Sequence, residues 1–305
     1  MATRKEQQAV RSEVDEVLKR RARALRARQR ALAAVPAAAM AELEVARVDT
    51  PHMALAASAA GTRGWVIAEG DSWFDYPGED ILDHLHTMGY SIESVARAGD
   101  RAEMMAFGRG QLDKFAAAVD KVIATRQQIA AVLLSGGGND IAGAEFGFLI
   151  NHAGSPTAGL NDNIVTGVID ERVRNAYLHI LQKVRTLCQS MLGFVPTIVL
   201  HGYGYPVPDG KGVLGGWGPL PGPWLRPRFI EKGFDDLAQN TLTVKKLIDR
   251  FNVMVKGVAD SFGDGKVKYV DLRPLLPAEK RLWANELHPK EPGFRAAAEA
   301  IAGAF

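Results

Sequence analysis

One serine in this chain stands where a nucleophile could act on a bound substrate. Gly70, Asp71 and Ser72 come shortly after the apolar residues 65–68, which are predicted to form a strand. In an open parallel sheet, ligands bind at the carboxyl ends of the strands, which is where Ser72 would lie. The same motif is also typical of a helix start, with Asp71 or Ser72 as the N-cap. Ser72 alone therefore does not establish a catalytic site.

Three further blocks place glycine, amide and imidazole groups at comparable positions. They are Arg-Ala-Gly-Asp (97–100) after a second predicted strand, Gly-Gly-Gly-Asn-Asp (136–140) after a third, and Asn-Glu-Leu-His-Pro (285–289) before a final helix. Acyl transfer needs a nucleophile, a general base and donors for the developing oxyanion. A serine hydroxyl, an imidazole that titrates near neutral pH and amide N–H groups can supply these functions.

The order serine, glycine, asparagine, histidine resembles the SGNH (GDSL-type) hydrolases, a family of esterases, lipases and acyl-group hydrolases. The resemblance covers residues 65–305. It implies that Ser72 is the nucleophile and His288 the general base. It also implies an oxyanion hole formed by the backbone N–H groups of Ser72 and Gly99 and the side-chain amide of Asn139. The expected enzyme is a serine esterase or acyl hydrolase that uses no metal and no organic cofactor.

Position 285 departs from the family pattern, in which an acid stands three residues before the histidine. Asn285 can accept a hydrogen bond from the imidazole of His288, but it has no charge with which to stabilise an imidazolium. Three interpretations are open: Asn285 orients a slow Ser–His pair, a carboxylate such as Glu286 substitutes, or the chain is a catalytically impaired binding or scaffold protein. The first is favoured over the second, because Glu286 is the adjacent residue and is expected to point elsewhere.

Strand and helix patterns alternate from residue 64 onward. Strands are predicted at about 65–68, 90–96, 130–135, 197–203 and 266–272, and helices at about 79–88, 101–126 with a break near 108–110, 170–192, 232–260 and 291–304. Continuous apolar strands that alternate with helices predict a parallel sheet covered on both faces. The resemblance makes this α/β fold a flavodoxin-like three-layer α/β/α sandwich, with a five-stranded sheet in the order 2-1-3-4-5.

Residues 1–60 are predicted to form a basic, amphipathic N-terminal helical arm, and residues 61–305 the hydrolase domain. The first thirty residues carry ten Lys or Arg against four Asp or Glu. The apolar positions at helical spacing are Val14, Val17, Leu18, Ala22 and Leu25, and Pro36 is expected to divide the arm. The arm is expected to pack on the body or to self-associate with a second subunit. Contact with nucleic acid or an anionic membrane is the alternative, although the few aromatic residues do not favour specific recognition of bases.

Residues 202–228 form a long Gly- and Pro-rich stretch after the fourth predicted strand. Loops of this length in a compact domain are usually functional or disordered. This one holds Tyr203, Tyr205, Trp217 and Trp224, which a disordered linker would rarely carry. It is therefore predicted to be a lid that contacts the substrate, a small-molecule acyl ester such as a carboxylic ester, an acetylated sugar, a thioester or a lysophospholipid. A surface cover or an oligomer contact is the alternative.

The composition is that of an ordinary globular protein. The 305 residues are 47% hydrophobic and 24% charged, and the single cysteine, Cys188, excludes an internal disulfide. There is no run of 18 apolar residues and no apolar stretch of the kind that follows a secretory N-terminus, so a cytoplasmic location without a transmembrane segment is expected. A nucleotide-binding function is disfavoured, because the glycines 136–138 lack the Lys-Ser/Thr of a phosphate loop.

Overall fold

Five parallel strands form the central sheet. The computed structural model describes residues 3–33, 62–213 and 221–305. The described residues form seven strands in all, which are β1 (Trp65–Glu69), β2 (Ser91–Ser94), β3 (Ile129–Leu134), β4 (Ile150–Asn151), β5 (Gly159–Leu160), β6 (Ile198–His201) and β7 (Val267–Val270). The main sheet has the order β2-β1-β3-β6-β7, which confirms the predicted order 2-1-3-4-5. Strands β4 and β5 pair separately as a short antiparallel hairpin.

Helices cover the sheet on both faces, as predicted. They are α1 (Arg4–Ala33), α2 (Ile81–Thr87), α3 (Ala102–Phe107), α4 (Gln111–Thr125), α5 (Gly138–Ile141), α6 (Ala144–Leu149), α7 (Asp162–Val165), α8 (Arg174–Leu192), α9 (Arg226–Glu231), α10 (Leu237–Asp260) and α11 (Glu291–Ala302). A π-helical stretch, Thr166–Val173, joins α7 to α8. The predicted break near residues 108–110 separates α3 from α4. Helices α5, α6, α7 and α9 were not predicted, because segments of four to six residues are too short to show a helical period.

The core lies on both sides of β1 and β3. Val66, Ile67 and Ala68 of β1 are fully buried, and β3 buries Val132 and Leu133 in the same way. A strand covered by helices on both faces excludes water from successive side chains, which explains its continuous apolar sequence. Each fully buried aliphatic side chain of this size contributes about 1.5–3 kcal/mol. The central strands therefore hold the carboxyl ends of β1 and β3 rigidly side by side.

Helix α1 packs along α4 and α8 of the body. Val10, Val14 and Val17 are buried in this contact, and Glu13 of α1 forms an ion pair with Lys183 (2.8 Å). Packing on the body is one of the two arrangements predicted for the arm. The apolar stripe ends sooner than its sequence spacing indicates, because Ala22 and Leu25 are exposed.

Two predictions for the arm remain beyond what these contacts test. Self-association through α1 stays a prediction, and Pro36 lies outside the described residues. Over the ranges that the structure describes, no helix combines the length and the apolar character needed to cross a bilayer.

Candidate active site

Ser72 and His288 meet beyond the carboxyl end of β1. The Oγ atom of Ser72 lies 2.6 Å from the Nε2 atom of His288, although 216 residues separate them in sequence. Ser72 stands in a turn in which the N–H of Phe74 donates to the carbonyl of Asp71 (3.0 Å). The following helix α2 begins only at residue 81 and is capped by Asp80. Neither Asp71 nor Ser72 is therefore an N-cap, and the alternative explanation of the motif is excluded.

The turn that presents Ser72 requires a glycine before it. A Cβ atom added at Gly70 would lie 2.8 Å from Cδ2 of Phe74 and 2.9 Å from the carbonyl oxygen of Ser135. Contacts this short would displace β1 from β3 or open the turn. The glycine of the motif thus lets the chain reverse directly against the end of the neighbouring strand.

Asn285 fixes the tautomer of His288. The Oδ1 atom of Asn285 accepts hydrogen bonds from the backbone N–H groups of Leu287 and His288, both at 2.9 Å. Backbone N–H groups can only donate, so the amide oxygen, and not the NH2 group, must face them. The same oxygen lies 3.0 Å from Nδ1 of His288, which must therefore carry the proton. The lone pair of Nε2 is then free to accept the hydroxyl hydrogen of Ser72.

Tyr76 completes the support of this pair. Its hydroxyl oxygen accepts a hydrogen bond from Nδ2 of Asn285 (3.1 Å), and its ring lies against the imidazole of His288 with centroids 4.6 Å apart. Sequence reasoning did not identify Tyr76, because a tyrosine four residues after Ser72 has no distinguishing context. Tyr76 thus contacts both Asn285, through a hydrogen bond, and His288, through its ring.

The imidazole of His288 is poorly placed to carry a charge. Burial lowers the pKa of His288 from 6.5 to about 3. None of the carboxylates in the described ranges hydrogen-bonds to its ring, whose two nitrogens contact Ser72 and Asn285. The free protein therefore holds His288 neutral, the form that can accept a proton, throughout the ordinary pH range.

Glu286 does not substitute for the missing acid. Its side chain is fully buried and its two carboxylate oxygens accept hydrogen bonds from four backbone N–H groups, those of Gly210, Trp224, Leu225 and Arg226, at 2.6–2.9 Å. Burial raises the pKa of Glu286, and the four donors oppose that rise. The carboxylate thus joins Gly210 to residues 224–226 within the Gly- and Pro-rich loop. It does not hydrogen-bond to His288, as expected from the sequence.

Asn139 lines the same cavity as Ser72 and His288. One N–H of its Nδ2 group donates to the carbonyl of Asp100 (2.9 Å), which joins the second block to the third. The amide has a second N–H, which is the donor that an oxyanion would use. Gly99, one residue before Asp100, has φ = +86°, a conformation that side chains other than glycine rarely adopt. Gly99 itself is not among the residues that line the cavity, so its role in an oxyanion hole stays a prediction.

Two carboxylates that sequence reasoning did not assign hold the Gly99 loop in place. Asp75 accepts a hydrogen bond from the N–H of Ala98 (2.8 Å), and Asp140 accepts one from the N–H of Ala102 (2.9 Å), the first residue of α3. The hydrogen bond from Ala102 to Asp140 joins the start of α3 to the third block, a contact between distant segments that local sequence does not indicate.

The aromatic residues predicted for the lid have different positions. Tyr203 lines the cavity, but its hydroxyl donates to the buried carboxylate of Asp71 at 2.5 Å. The ring of Trp224 stands edge-on to His288 with centroids 6.0 Å apart. Tyr205 does not line the cavity, because its hydroxyl donates to Asp249 of α10 at 2.5 Å. Trp217 lies outside the described residues.

The cavity beside Ser72 is small and mainly apolar. Its volume is about 40 Å³. Three side chains of α10, Val244, Leu247 and Ile248, form one wall, and Trp283 and Leu287 lie on the side of the histidine block. The sequence showed the α10 residues only as an apolar stripe at helical spacing, which does not distinguish a pocket wall from the core.

The resemblance to SGNH hydrolases thus extends from the four sequence blocks to the order of the sheet. No protein-family model and no curated protein matches the chain. Among solved structures, the chain is similar to an acetylxylan esterase from Geobacillus stearothermophilus, with 15% identity over 80% of this chain and 94% of that one and a TM-score of 0.42. It is also similar to a carbohydrate acetylesterase from Sinorhizobium meliloti, with 14% identity over 79% of this chain and 99% of that one and a TM-score of 0.43. Similarities of this size do not transfer an activity.

Proposed function

We propose that this protein is a serine-dependent hydrolase of acyl esters. The observation that carries the proposal is the 2.6 Å contact between Ser72 Oγ and His288 Nε2, in a histidine whose Nδ1 proton is held by Asn285. A hydroxyl that donates to a correctly oriented imidazole is the arrangement that activates a serine for attack on a carbonyl carbon. The adjoining apolar cavity would receive the acyl group of the ester.

The reaction proceeds through an acyl-enzyme. Ser72 Oγ attacks the ester carbonyl while His288 Nε2 accepts the hydroxyl proton, and the carbonyl oxygen becomes an oxyanion. The backbone N–H groups of Ser72 and Gly99 and the side-chain amide of Asn139 donate to that oxygen. His288 then returns the proton to the leaving alcohol. A water molecule, deprotonated by the same imidazole, attacks the acyl-enzyme and releases the carboxylic acid and Ser72.

Asn285 makes this hydrolase slow. When His288 accepts the proton it becomes a buried cation, and the neutral amide of Asn285 stabilises that cation less than a carboxylate would. The second candidate function is that of a binding protein that keeps the hydrolase fold without turnover. It is favoured by the low basicity of His288, because burial lowers the pKa of this residue to about 3. The two candidates differ in whether the hydroxyl of Ser72 is reactive.

A fluorophosphonate probe tests for a reactive serine directly. Because the Ser72 hydroxyl donates to a neutral imidazole, we expect covalent labelling of Ser72, located by peptide mass spectrometry. Labelling should be absent in Ser72→Ala and in heat-unfolded wild-type protein. If the folded wild-type chain is not labelled at Ser72, the hydrolase proposal fails and the binding function is supported.

The pH dependence of hydrolysis should extend further into acid than that of an ordinary histidine-dependent enzyme. The neutral imidazole is the active form and burial lowers the pKa of His288 to about 3, so kcat/KM for p-nitrophenyl acetate should not fall between about pH 8 and 5. An acid limb near the ordinary histidine pKa of about 6.5 would contradict this. Product release should be measured by chromatography at each pH.

Folding must be followed in the same samples. The unfolded chain protonates His288 near its ordinary pKa and the folded chain only near pH 3, so stability is lost progressively as the pH falls from about 6.5. Circular dichroism at each pH then separates a loss of active base from a loss of folded protein.

A further inference from the structure

Three side chains that the reaction does not use converge where α2 packs against α11. The Nε2 atom of His84 lies 3.8 Å from Oε2 of Glu79 and 3.7 Å from Oε1 of Glu291. One ligand atom from each residue lies within 4.8 Å of both others. Glu79 stands just before α2, His84 within it, and Glu291 is the first residue of α11.

The nitrogen of His84 has an unmet need for a partner. His84 is only 5% exposed, and its Nε2 atom is buried without a hydrogen-bond partner. A buried polar atom without a hydrogen-bond partner is energetically unfavourable. The separations of 3.7 and 3.8 Å from the two carboxylates are too long for hydrogen bonds. The nitrogen and two oxygens instead surround a gap between them.

The gap has the size and the donor set of a divalent metal site. Zinc binds imidazole nitrogen and carboxylate oxygen at about 2.0–2.2 Å in a tetrahedron, which places its ligand atoms about 3.4 Å apart. The two separations between His84 Nε2 and the glutamate oxygens, 3.7 and 3.8 Å, exceed that value by only a few tenths of an ångström, and the three ligand atoms all lie within 4.8 Å of one another. We propose that Glu79, His84 and Glu291 bind a zinc-class divalent cation, with water as the fourth ligand. One imidazole with two carboxylates suits zinc better than magnesium or calcium, which prefer oxygen ligands alone.

Arg295 competes for this site. Its Nε atom donates to Oε1 of Glu291 at 3.1 Å, and its side chain is 59% exposed. Because the pair is exposed, it is weak, and a metal–ligand bond can displace it. Removal of the guanidinium should therefore strengthen metal binding.

The bound ion would connect the two segments that carry the Ser–His pair. Helix α2 follows the turn of Ser72, and Glu291 stands three residues after His288. Asp80, next to Glu79, accepts a hydrogen bond from the N–H of Tyr76 (3.2 Å), the residue that packs on His288. The cation touches none of the reacting atoms, so its effect is to stabilise the fold around the site.

Zinc titration of the full chain, after treatment with a chelator, tests this proposal without any activity measurement. By calorimetry we expect one Zn²⁺ per chain, with affinity reduced at least about tenfold in Glu79→Gln and in Glu291→Gln. Co²⁺ should give the visible absorption of a tetrahedral site in the wild type and not in Glu79→Gln or Glu291→Gln. Zn²⁺ should also raise the Tm of the wild type, because a ligand that binds only the folded state stabilises it.

Matched controls separate this site from surface binding. His86→Asn, an exposed histidine of the same helix, and Glu299→Gln, an exposed glutamate of α11, should bind Zn²⁺ like the wild type. Arg295→Ala should bind it more tightly. Both glutamate variants alter partly exposed side chains and should fold. The absence of saturable binding, or equal binding by the wild type, Glu79→Gln and Glu291→Gln, would show that the three residues form only an ion-pair cluster.

Discussion

Replacement of Ser72 by alanine should lower the kcat for p-nitrophenyl acetate by at least about 10³-fold. The acyl-enzyme route needs the hydroxyl, and the neighbouring Ser135 cannot replace it because its hydroxyl donates to Asp71 (2.9 Å). The rate should be measured from initial velocities with protein whose folding is checked by circular dichroism.

Ser190→Ala is the control for this experiment. Ser190 is an exposed residue of α8 whose hydroxyl donates to the carbonyl of Thr186, so its loss should leave the rate unchanged. If Ser72→Ala and the wild type hydrolyse the ester equally fast, the activity does not arise at this serine and the proposed mechanism is wrong.

Replacement of Asn285 by aspartate should raise kcat by about 10- to 1,000-fold. In serine proteases, an amide in place of the acid costs about 10⁴-fold, because it favours the wrong histidine tautomer. Here the backbone donors of Leu287 and His288 already turn the amide oxygen toward Nδ1, so the tautomer is correct and only the charge is missing. A carboxylate at this distance raises an imidazole pKa by about 1–3 units, which corresponds to the expected gain.

The neighbouring tyrosine allows this substitution to be tested sharply. Tyr76 now accepts from the amide of Asn285, and its hydroxyl can rotate to donate to a carboxylate at the same place. Tyr76→Phe combined with Asn285→Asp should therefore give a smaller gain than Asn285→Asp alone.

The single variant Asn285→Asp should also move the acid limb of kcat/KM to higher pH. Asn163→Asp adds the same charge at an exposed position of α7 and should change neither quantity. An unchanged or lower kcat in Asn285→Asp would mean that another group orients the imidazole.

The covered parallel sheet could be predicted from regularities of the whole chain, whereas its strand order and the convergence of Ser72, Asn139 and His288 were expected from the resemblance to SGNH hydrolases. Strand and helix periods persist over many residues, and the carboxyl ends of parallel strands share one edge. The direction of single side chains in loops has no such regularity. Tyr205 was expected at the site and instead reaches Asp249, since a loop residue can face either way at little cost.

The orientation of the Asn285 amide also could not be predicted from its residue type. The amide could equally present oxygen or nitrogen to His288, and the choice depends on two backbone N–H groups that face it only when residues 285–288 form their turn. Asp140 shows the same limit, since its partner Ala102 is 38 residues away. Contacts of this kind arise from the packing of distant segments and have no local sequence signature.

The carboxylate of Glu286 anchors the Gly- and Pro-rich loop close to His288. One buried carboxylate holds Gly210 on one side and residues 224–226 on the other, and it stands two residues before His288. Because the cost of closing a loop grows slowly with its length, the stretch between these anchors can lengthen, shorten or change composition without moving the base. The stretch between Gly210 and residue 224 can therefore be replaced by another sequence. We therefore expect substitutions in this stretch to leave the contact between Ser72 and His288 in place.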